Sequence, residues 1–348
     1  MKRLWQRLTQ GRARSGHGGA LARAGAALRG WLRGPDGGER RTPAPPAAPA
    51  GGASPAANAD SGPGRFIENE HEGPEGRRRY RLYLPPGPAA ARPLLVLLHG
   101  CKQDPEDFAA GTRMNELARE HGVCVLYPEQ SRRANPMRCW NWFQPRHQQR
   151  GQGEPALLAG LVEAVLAQHG LDARRTWVAG LSAGGSMAAI LAQRYPERFA
   201  ALGVHSGLPC GSAHDVSSAF SVMREGVPSP HAPISRLHGA AQPLHAPRLP
   251  TIVFHGDADD TVHPRNGRAL VEAALPPGAL AQVEHGRSLH GRRYTRTVFR
   301  DAGGTPRVEH WELHSGGHAW SGGDAAGSYT DPAGPEASRE LLRFFLAQ

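Results

Sequence analysis

Thr176-Trp-Val-Ala-Gly-Leu-Ser-Ala-Gly-Gly185 reads as a short apolar strand, Trp177 to Leu181, that runs into Ser182 and then into a helix containing Met187-Ala-Ala-Ile-Leu-Ala-Gln193. The box Gly180-Leu-Ser-Ala-Gly184 fits a nucleophile elbow, a turn in which the serine sits in a strained backbone conformation with its hydroxyl presented outward. Glycines flank the serine because a Cβ there would strike the neighbouring strand or helix. The box alone is a weak signal. Its weight comes from the strand before it and the helix after it.

The pattern on either side repeats the alternation. Upstream, Phe66 to Glu70 and Arg79 to Leu84 read as a hairpin joined by Gly73-Pro-Glu-Gly76. Pro93-Leu-Leu-Val-Leu-Leu-His99 is a continuous apolar run, the mark of a strand buried on both faces. Phe108 to His121 reads as a helix, Val123 to Tyr127 as a second buried strand, and Pro155 to His169 as a helix with one apolar face. Downstream, Ala201 to Ser206 and Thr251 to His255 are strands, and Arg265 to Ala274 is a helix. Tyr294 to Arg300 and Val308 to Leu313 are late strands, and Pro335 to Leu346 is a closing helix. Strands alternating with helices predict an α/β fold around a mostly parallel central sheet with helices on both faces. Residues 208–248 break this rhythm with Gly, Pro, Ser and His around one weak helix near Ser217 to Arg224, and read as a substrate-shaping insertion above the sheet.

Composition divides the chain in two. Of 348 residues with a formal net charge of +10, residues 1–64 hold ten Lys/Arg against three Asp/Glu. The basic excess is therefore mostly a property of this segment, and no nucleic-acid-binding signature accompanies it. Leu21, Ala24, Leu28, Trp31 and Leu32 fall at helical spacing, so 20–33 reads as a basic amphipathic helix. Residues 42–64 are Pro/Ala/Gly-rich and read as a disordered linker. The expected organisation is thus a basic, largely disordered segment over 1–64 and a catalytic domain over 65–348. No run of 18 apolar residues exists, which excludes a transmembrane helix. Met1-Lys-Arg is followed by no continuous apolar region, so no secretory signal is visible. The four cysteines, Cys101, Cys124, Cys139 and Cys210, form no CxxC pair, which argues against a zinc site. Cys124 reads as a core residue, whereas Cys101 and Cys139 are free to pair or not.

A serine nucleophile needs a base, an acid to orient the base, and two N–H groups for the oxyanion. In an α/β-hydrolase these follow in the order Ser, Asp/Glu, His. Phe254-His-Gly-Asp-Ala-Asp-Asp-Thr-Val262 leaves a strand and places Asp259 on the turn, with Asp257 and Asp260 as competitors. Among 18 histidines, His318 stands out in the glycine loop Ser315-Gly-Gly-His-Ala-Trp320, after the last strand and before the closing helix. His314 is the runner-up, and His205, His255 and His263 read as structural. The oxyanion donors expected are the N–H of Ala183, directly after the nucleophile, and that of Cys101 in the loop His99-Gly-Cys-Lys-Gln103. Trp140, Trp142 and Trp320 are candidates for an apolar substrate wall, with Trp320 the one expected to face the pocket and the other two balanced against core packing. No metal or organic cofactor is implied.

Six motifs stand in order along the chain. They are His99-Gly-Cys101, Tyr127-Pro-Glu-Gln130, Cys139-Trp-Asn-Trp-Phe143, Arg150-Gly-Gln-Gly-Glu154, Gly180-Leu-Ser-Ala-Gly-Gly185 and Gly317-His-Ala-Trp-Ser-Gly-Gly323. Over residues 65–348 this resembles the poly(3-hydroxybutyrate) depolymerase family of serine esterases. The resemblance implies an α/β-hydrolase that cuts esters of short hydroxyacids through a triad of Ser182, Asp259 and His318. It implies short-chain polyhydroxyalkanoate, as polymer or oligomer, as the ester substrate, and an extracellular or periplasmic location, with a cytoplasmic one as the alternative. The sequence departs from the polymer-degrading members: it shows no separate polymer-binding domain after the closing helix, and Cys101-Lys-Gln103 replaces the more usual Cys-Thr-Gln. Soluble oligomers and other short esters gain weight accordingly. Related esterases make a feruloyl- or acetylxylan-cleaving enzyme the alternative within the class. A non-catalytic protein held on granules or anionic lipid by residues 1–64 is the alternative outside it. Nothing in the sequence specifies an oligomeric state.

Overall fold

The computed structural model describes residues 62–227 and 248–348. Residues 1–61, with the helix expected over 20–33, lie outside the described residues, as does 228–247 of the insertion. The chain divides into the units Met1–Pro55 and Ala56–Gln348, and every element below belongs to the second.

Strands β1 (Arg65–Gly73) and β2 (Gly76–Leu84) form the expected hairpin. Then come β3 (Leu94–Leu98), α1 (Pro105–Thr112), α2 (Met114–His121), β4 (Cys124–Pro128) and α3 (Gly153–His169). The middle of the chain gives β5 (Thr176–Leu181), α4 (Ala183–Arg194), β6 (Ala201–His205) and α5 (Val216–Glu225). The last part gives β7 (Thr251–Gly256), α6 (Arg265–Ala274), β8 (Leu280–Arg287), β9 (Arg293–Arg300) and β10 (Pro306–Leu313). Two short strands, β11 (Trp320–Ser321) and β12 (Thr330–Asp331), pair with each other before α7 (Ala337–Leu346) closes the chain.

The main sheet has ten strands in the order β1-β2-β4-β3-β5-β6-β7-β10-β9-β8. The block from β4 to β10 is parallel, with an antiparallel hairpin at each edge. Every residue of β3, β4, β5, β6 and β7 is buried, as their unbroken apolar runs require of strands covered on both faces. Helix α7 turns Leu341, Leu342, Phe344 and Phe345 inward, and Phe345 stacks on Trp177 of β5 with ring centroids 5.5 Å apart.

Besides the short strands β11 and β12, two elements differ from the sequence-based expectation. The helix expected over Phe108 to His121 is two helices, broken where Arg113 takes φ 52° in the left-handed region. Just before the break the Thr112 hydroxyl donates to the Phe108 carbonyl at 2.7 Å, a local competitor for the helical ladder. Strand β8 was not expected at all. Seven of its eight residues are exposed, so it carries none of the apolar alternation that marks a half-buried strand.

Candidate active site

Ser182 joins β5 to α4 at φ 57° and ψ −120°. Such a backbone costs a serine on the order of 1–3 kcal/mol and persists only where the surroundings over-determine it. They do so here: the Ser182 N–H donates to His205 O at 2.8 Å, and the Ser182 carbonyl accepts from the Ser186 N–H at 2.9 Å and the Ser186 hydroxyl at 3.2 Å. A Cβ on Gly184 would overlap the carbonyls of Leu98 and His99, so α4 can cross the end of β3 only with glycine there.

His318 arrives from the loop after β10. Its Nε2 lies 2.9 Å from Ser182 Oγ and its Nδ1 lies 2.7 Å from Asp259 Oδ2. Asp259 is buried on the turn leaving β7, and its Oδ1 accepts the N–H groups of Thr261 and Val262 at 3.0 and 2.8 Å. That leaves Oδ2 for the imidazole. Burial alone would raise the Asp259 pKa, but the His318 charge and hydrogen bond, with the His255 imidazole close by, outweigh it and hold the carboxyl well below the usual carboxylate range. An ionised Asp259 accepts from Nδ1–H, which turns the Nε2 lone pair toward the serine hydroxyl. The line can therefore draw the proton from Ser182 as its oxygen attacks.

The competing candidates separate cleanly. Asp257 Oδ2 lies 3.0 Å from His314 Nδ1, so the two runners-up pair with each other outside the line to Ser182. His255 Nε2 meets the Val262 carbonyl at 2.7 Å and approaches Asp259 Oδ2 at 3.5 Å from behind. His263 accepts from the Arg265 N–H at 3.1 Å at the start of α6. His205 is buried, accepts from the Ser321 N–H at 3.1 Å, and is pushed down to about 3, chiefly by burial, with His255 and His318 adding to it.

Of the two expected oxyanion donors, the Ala183 N–H is the first of α4, where the helix itself offers no acceptor and its dipole favours negative charge. Cys101 lies between two engaged N–H groups: Gly100 donates to Gln103 Oε1 at 2.9 Å and Lys102 to Met137 O at 2.7 Å. Cys101 is also disulfide-bonded to Cys139, a pairing the sequence left open.

The tryptophans require a correction. Trp320 is a core residue: it is 1% exposed, stacks on His205 at 5.2 Å, meets Phe108 edge-on at 5.4 Å and donates from Nε1 to Ser338 Oγ at 3.0 Å. Trp140 is also core, with Nε1 donating to the His99 carbonyl at 3.0 Å and the Arg78 guanidinium over its ring. Trp142 is buried against Phe143. All three are buried residues of the core.

Sequence reasoning missed a buried polar knot that meets Trp140 through Arg78. Glu154 accepts from the Asn141 N–H and side-chain amide, both at 2.8 Å, and from Gln130 Nε2 at 2.5 Å, while Gln130 Oε1 takes Arg78 at 2.5 Å. Gln130, Asn141 and Glu154 each come from a different one of the six motifs, and that was the available signal. Among the described residues, no group of three or more His, Cys, Asp or Glu side chains could hold a metal ion, and no helix is long and apolar enough to cross a membrane. A cleft of about 480 Å³ between the β8–β9 turn and the start of α7 is walled by Arg287, His290, Tyr294 and Glu336. Ser182, Asp259 and His318 are not among its walls.

The sheet order and the sharp turn at Ser182 define an α/β-hydrolase. A family model described as esterase PHB depolymerase matches residues 78–282, more than half of the chain, and the chain belongs to that family. Poly(3-hydroxyalkanoate) depolymerase C of Paucimonas lemoignei is 33% identical over 237 residues, 68% of this chain and 57% of that protein. The chain thus spans little more than half the length of that relative. Feruloyl esterase B of Neurospora crassa is 28% identical over 245 residues, 68% of this chain and 82% of that protein. The solved acetyl xylan esterase from Aspergillus awamori aligns with a TM-score of 0.61 at 19% identity, covering 82% of this chain and all of that one, a likeness of fold.

Proposed function

We propose that this protein is a serine carboxylesterase acting on short-chain polyhydroxyalkanoate, 3-hydroxybutyrate oligomers foremost, through an acyl-serine intermediate. The observation that carries the chemistry is the unbroken line from Ser182 Oγ through His318 to Asp259, with its bonds of 2.9 and 2.7 Å. In this reading His318 takes the Ser182 proton as Oγ bonds to the ester carbonyl carbon. Asp259 holds the imidazole tautomer and balances the imidazolium. The N–H groups of Ala183 and Cys101 receive the oxyanion. Collapse expels the alcohol, which takes the proton back from His318. Water activated by the same imidazole then releases the acid and restores the serine.

The hydroxyalkanoate assignment rests on the family and on the 33% identity to poly(3-hydroxyalkanoate) depolymerase C. A feruloyl- or acetyl-esterase reading is favoured by a separate observation, the similarity that spans 82% of feruloyl esterase B. Residues 65–348 are the catalytic domain in either case. The Cys101–Cys139 disulfide fits an oxidising compartment, and with it an extracellular or periplasmic setting.

The test is a substrate panel of hydroxybutyrate oligomers, polymer film and methyl ferulate. The proposal expects the highest kcat/KM on the oligomers, and a preference for the ferulate would overturn the substrate assignment. Granule binding that depends on residues 1–64, with no turnover of any ester, would favour the non-catalytic alternative.

A further inference from the structure

The loop that carries His318 leaves β10 at Leu313 and holds Ser315 at φ 55°, followed by Gly316 and Gly317. A glycine-rich loop has many conformations to lose, so something must select the one that brings His318 to Ser182. Part of the answer is backbone. Asp257 N–H donates to Leu313 O at 3.0 Å and Ala258 N–H to Gly316 O at 3.1 Å, zipping this loop to the one that carries Asp259.

Side chains complete the grip on a single residue. Asp257 Oδ1 accepts the Ser315 N–H at 2.6 Å. From the β8–β9 turn, Arg292 donates to the Ser315 carbonyl at 2.6 Å and the His314 carbonyl at 3.2 Å, and its other terminal nitrogen donates to Asp331 at 3.1 Å. Ser315 is therefore held at its N–H by a carboxylate and at its C=O by a guanidinium. It is the residue whose positive φ redirects the chain three positions before His318.

Asp257 has a second bond, to His314, whose Nε2 lies 2.9 Å from Thr295 Oγ1. Asp257–His314–Thr295 thus copies Asp259–His318–Ser182 atom for atom: acid to Nδ1, hydroxyl to Nε2. The copy lacks what a nucleophile requires. Thr295 lies inside β9, not at a strand-to-helix turn, and its oxygen also meets His285 Nδ1 at 3.1 Å. A hydroxyl held between two imidazoles serves as a strut.

We infer that Asp257 and Arg292 are positioning residues for the proposed reaction, fixing the Ser315 peptide and through it the approach of His318 to Ser182. This rests on the triad reading above. The experiment uses the full chain and measures kcat and KM on p-nitrophenyl butyrate for Asp257→Ala, Asp257→Asn, Arg292→Ala and Arg292→Lys, with His318→Ala and Ser182→Ala beside them. Misplacing a reacting group by about 1 Å costs on the order of a hundredfold, so each alanine variant should lose roughly ten- to a hundredfold in kcat with KM within about twofold. Asparagine keeps an acceptor for the Ser315 N–H and lysine keeps a donor for its carbonyl, so both should recover most of the loss.

Alanine variants at the parental kcat, or conservative variants no better than alanine, would overturn the inference. Should Asp257→Ala fail to fold, the two Arg292 variants decide it alone. Activity persisting in His318→Ala or Ser182→Ala would instead overturn the triad reading, so the two failures are distinguishable.

Discussion

Ser182, His318 and Asp259 divide their hydrogen bonds so that each atom has one task. Because Asp259 Oδ1 is committed to the N–H groups of Thr261 and Val262, only Oδ2 is left for His318. An amide in place of this carboxylate would keep its oxygen on those two N–H groups and turn its NH₂ toward Nδ1. The imidazole would then carry its proton on Nε2, facing a hydroxyl that needs a lone pair. Asp259→Asn should therefore fold normally yet lose about 10⁴-fold in kcat on p-nitrophenyl butyrate. A loss below tenfold would mean that Asp259 does not set the tautomer. The Ala183 and Cys101 N–H groups are backbone and survive every substitution but proline. Their proposed role is read from a boronic acid inhibitor, whose tetrahedral adduct on Ser182 should bind far more tightly than the matching ester.

At the scale of elements, two devices hold the loops that the sheet alone would leave free. One is the Cys101–Cys139 bond, which ties the His99–Gln103 loop to the segment carrying Trp140 and Trp142. Closing a loop with a sequence separation of 38 is worth about 4 kcal/mol in the chain-entropy picture. Reduction, or the double change Cys101→Ser with Cys139→Ser, should lower unfolding free energy by roughly that amount in urea titration. It should also lower kcat by loosening a proposed oxyanion donor. An unchanged midpoint and rate would show that the bond constrains neither.

The second device is the hairpin β8–β9, whose turn sends Arg292 to the His318 loop. The sequence made the parallel strands legible because unbroken apolar runs such as Leu94–Leu98 have few alternatives to burial on both faces. It made the Ser182 turn legible because strand, serine, glycine and helix adjoin within ten residues. Strand β8 was illegible because it buries almost nothing. Trp320 was misread because its glycine-rich neighbours suggest exposure, whereas its burial comes from His205 and Phe108, more than a hundred residues away. Asp257 and His314 stood as rivals of Asp259 and His318 because each lies on the same loop within four residues. Only a three-dimensional pairing separates them.

The whole molecule carries several histidines that the fold keeps neutral. His99 shares Nδ1 with the Gly100 carbonyl at 2.7 Å and must accept at Nε2 from the Gln130 N–H at 3.1 Å, which leaves no place for a second proton. Burial pushes it and His310 down to about 4, and His205 to about 3. In the unfolded chain each would titrate near 6.5. Between roughly pH 6.5 and pH 4 the unfolded state therefore binds more protons, and stability must fall as pH falls. The slope should be about 1.4 kcal/mol per pH unit for each such histidine. Asp259, held below its ordinary range, acts in the same direction at still lower pH, where its contribution is lost as it protonates. Urea midpoints measured from pH 8 to pH 4 should be level at first and then drop steeply below about 6.5. A flat profile through that window would contradict the neutral, buried state of these rings.

Everything proposed for this site requires that Ser182 and His318, 136 positions apart, form one reacting pair. Rapid-quench mass spectrometry of the protein mixed with p-nitrophenyl butyrate reads that pairing. A butyryl group should appear on the peptide containing Ser182, absent in Ser182→Ala and formed at least about a thousandfold more slowly in His318→Ala. An acyl group on another residue, or formation on Ser182 at the parental rate without His318, would contradict it.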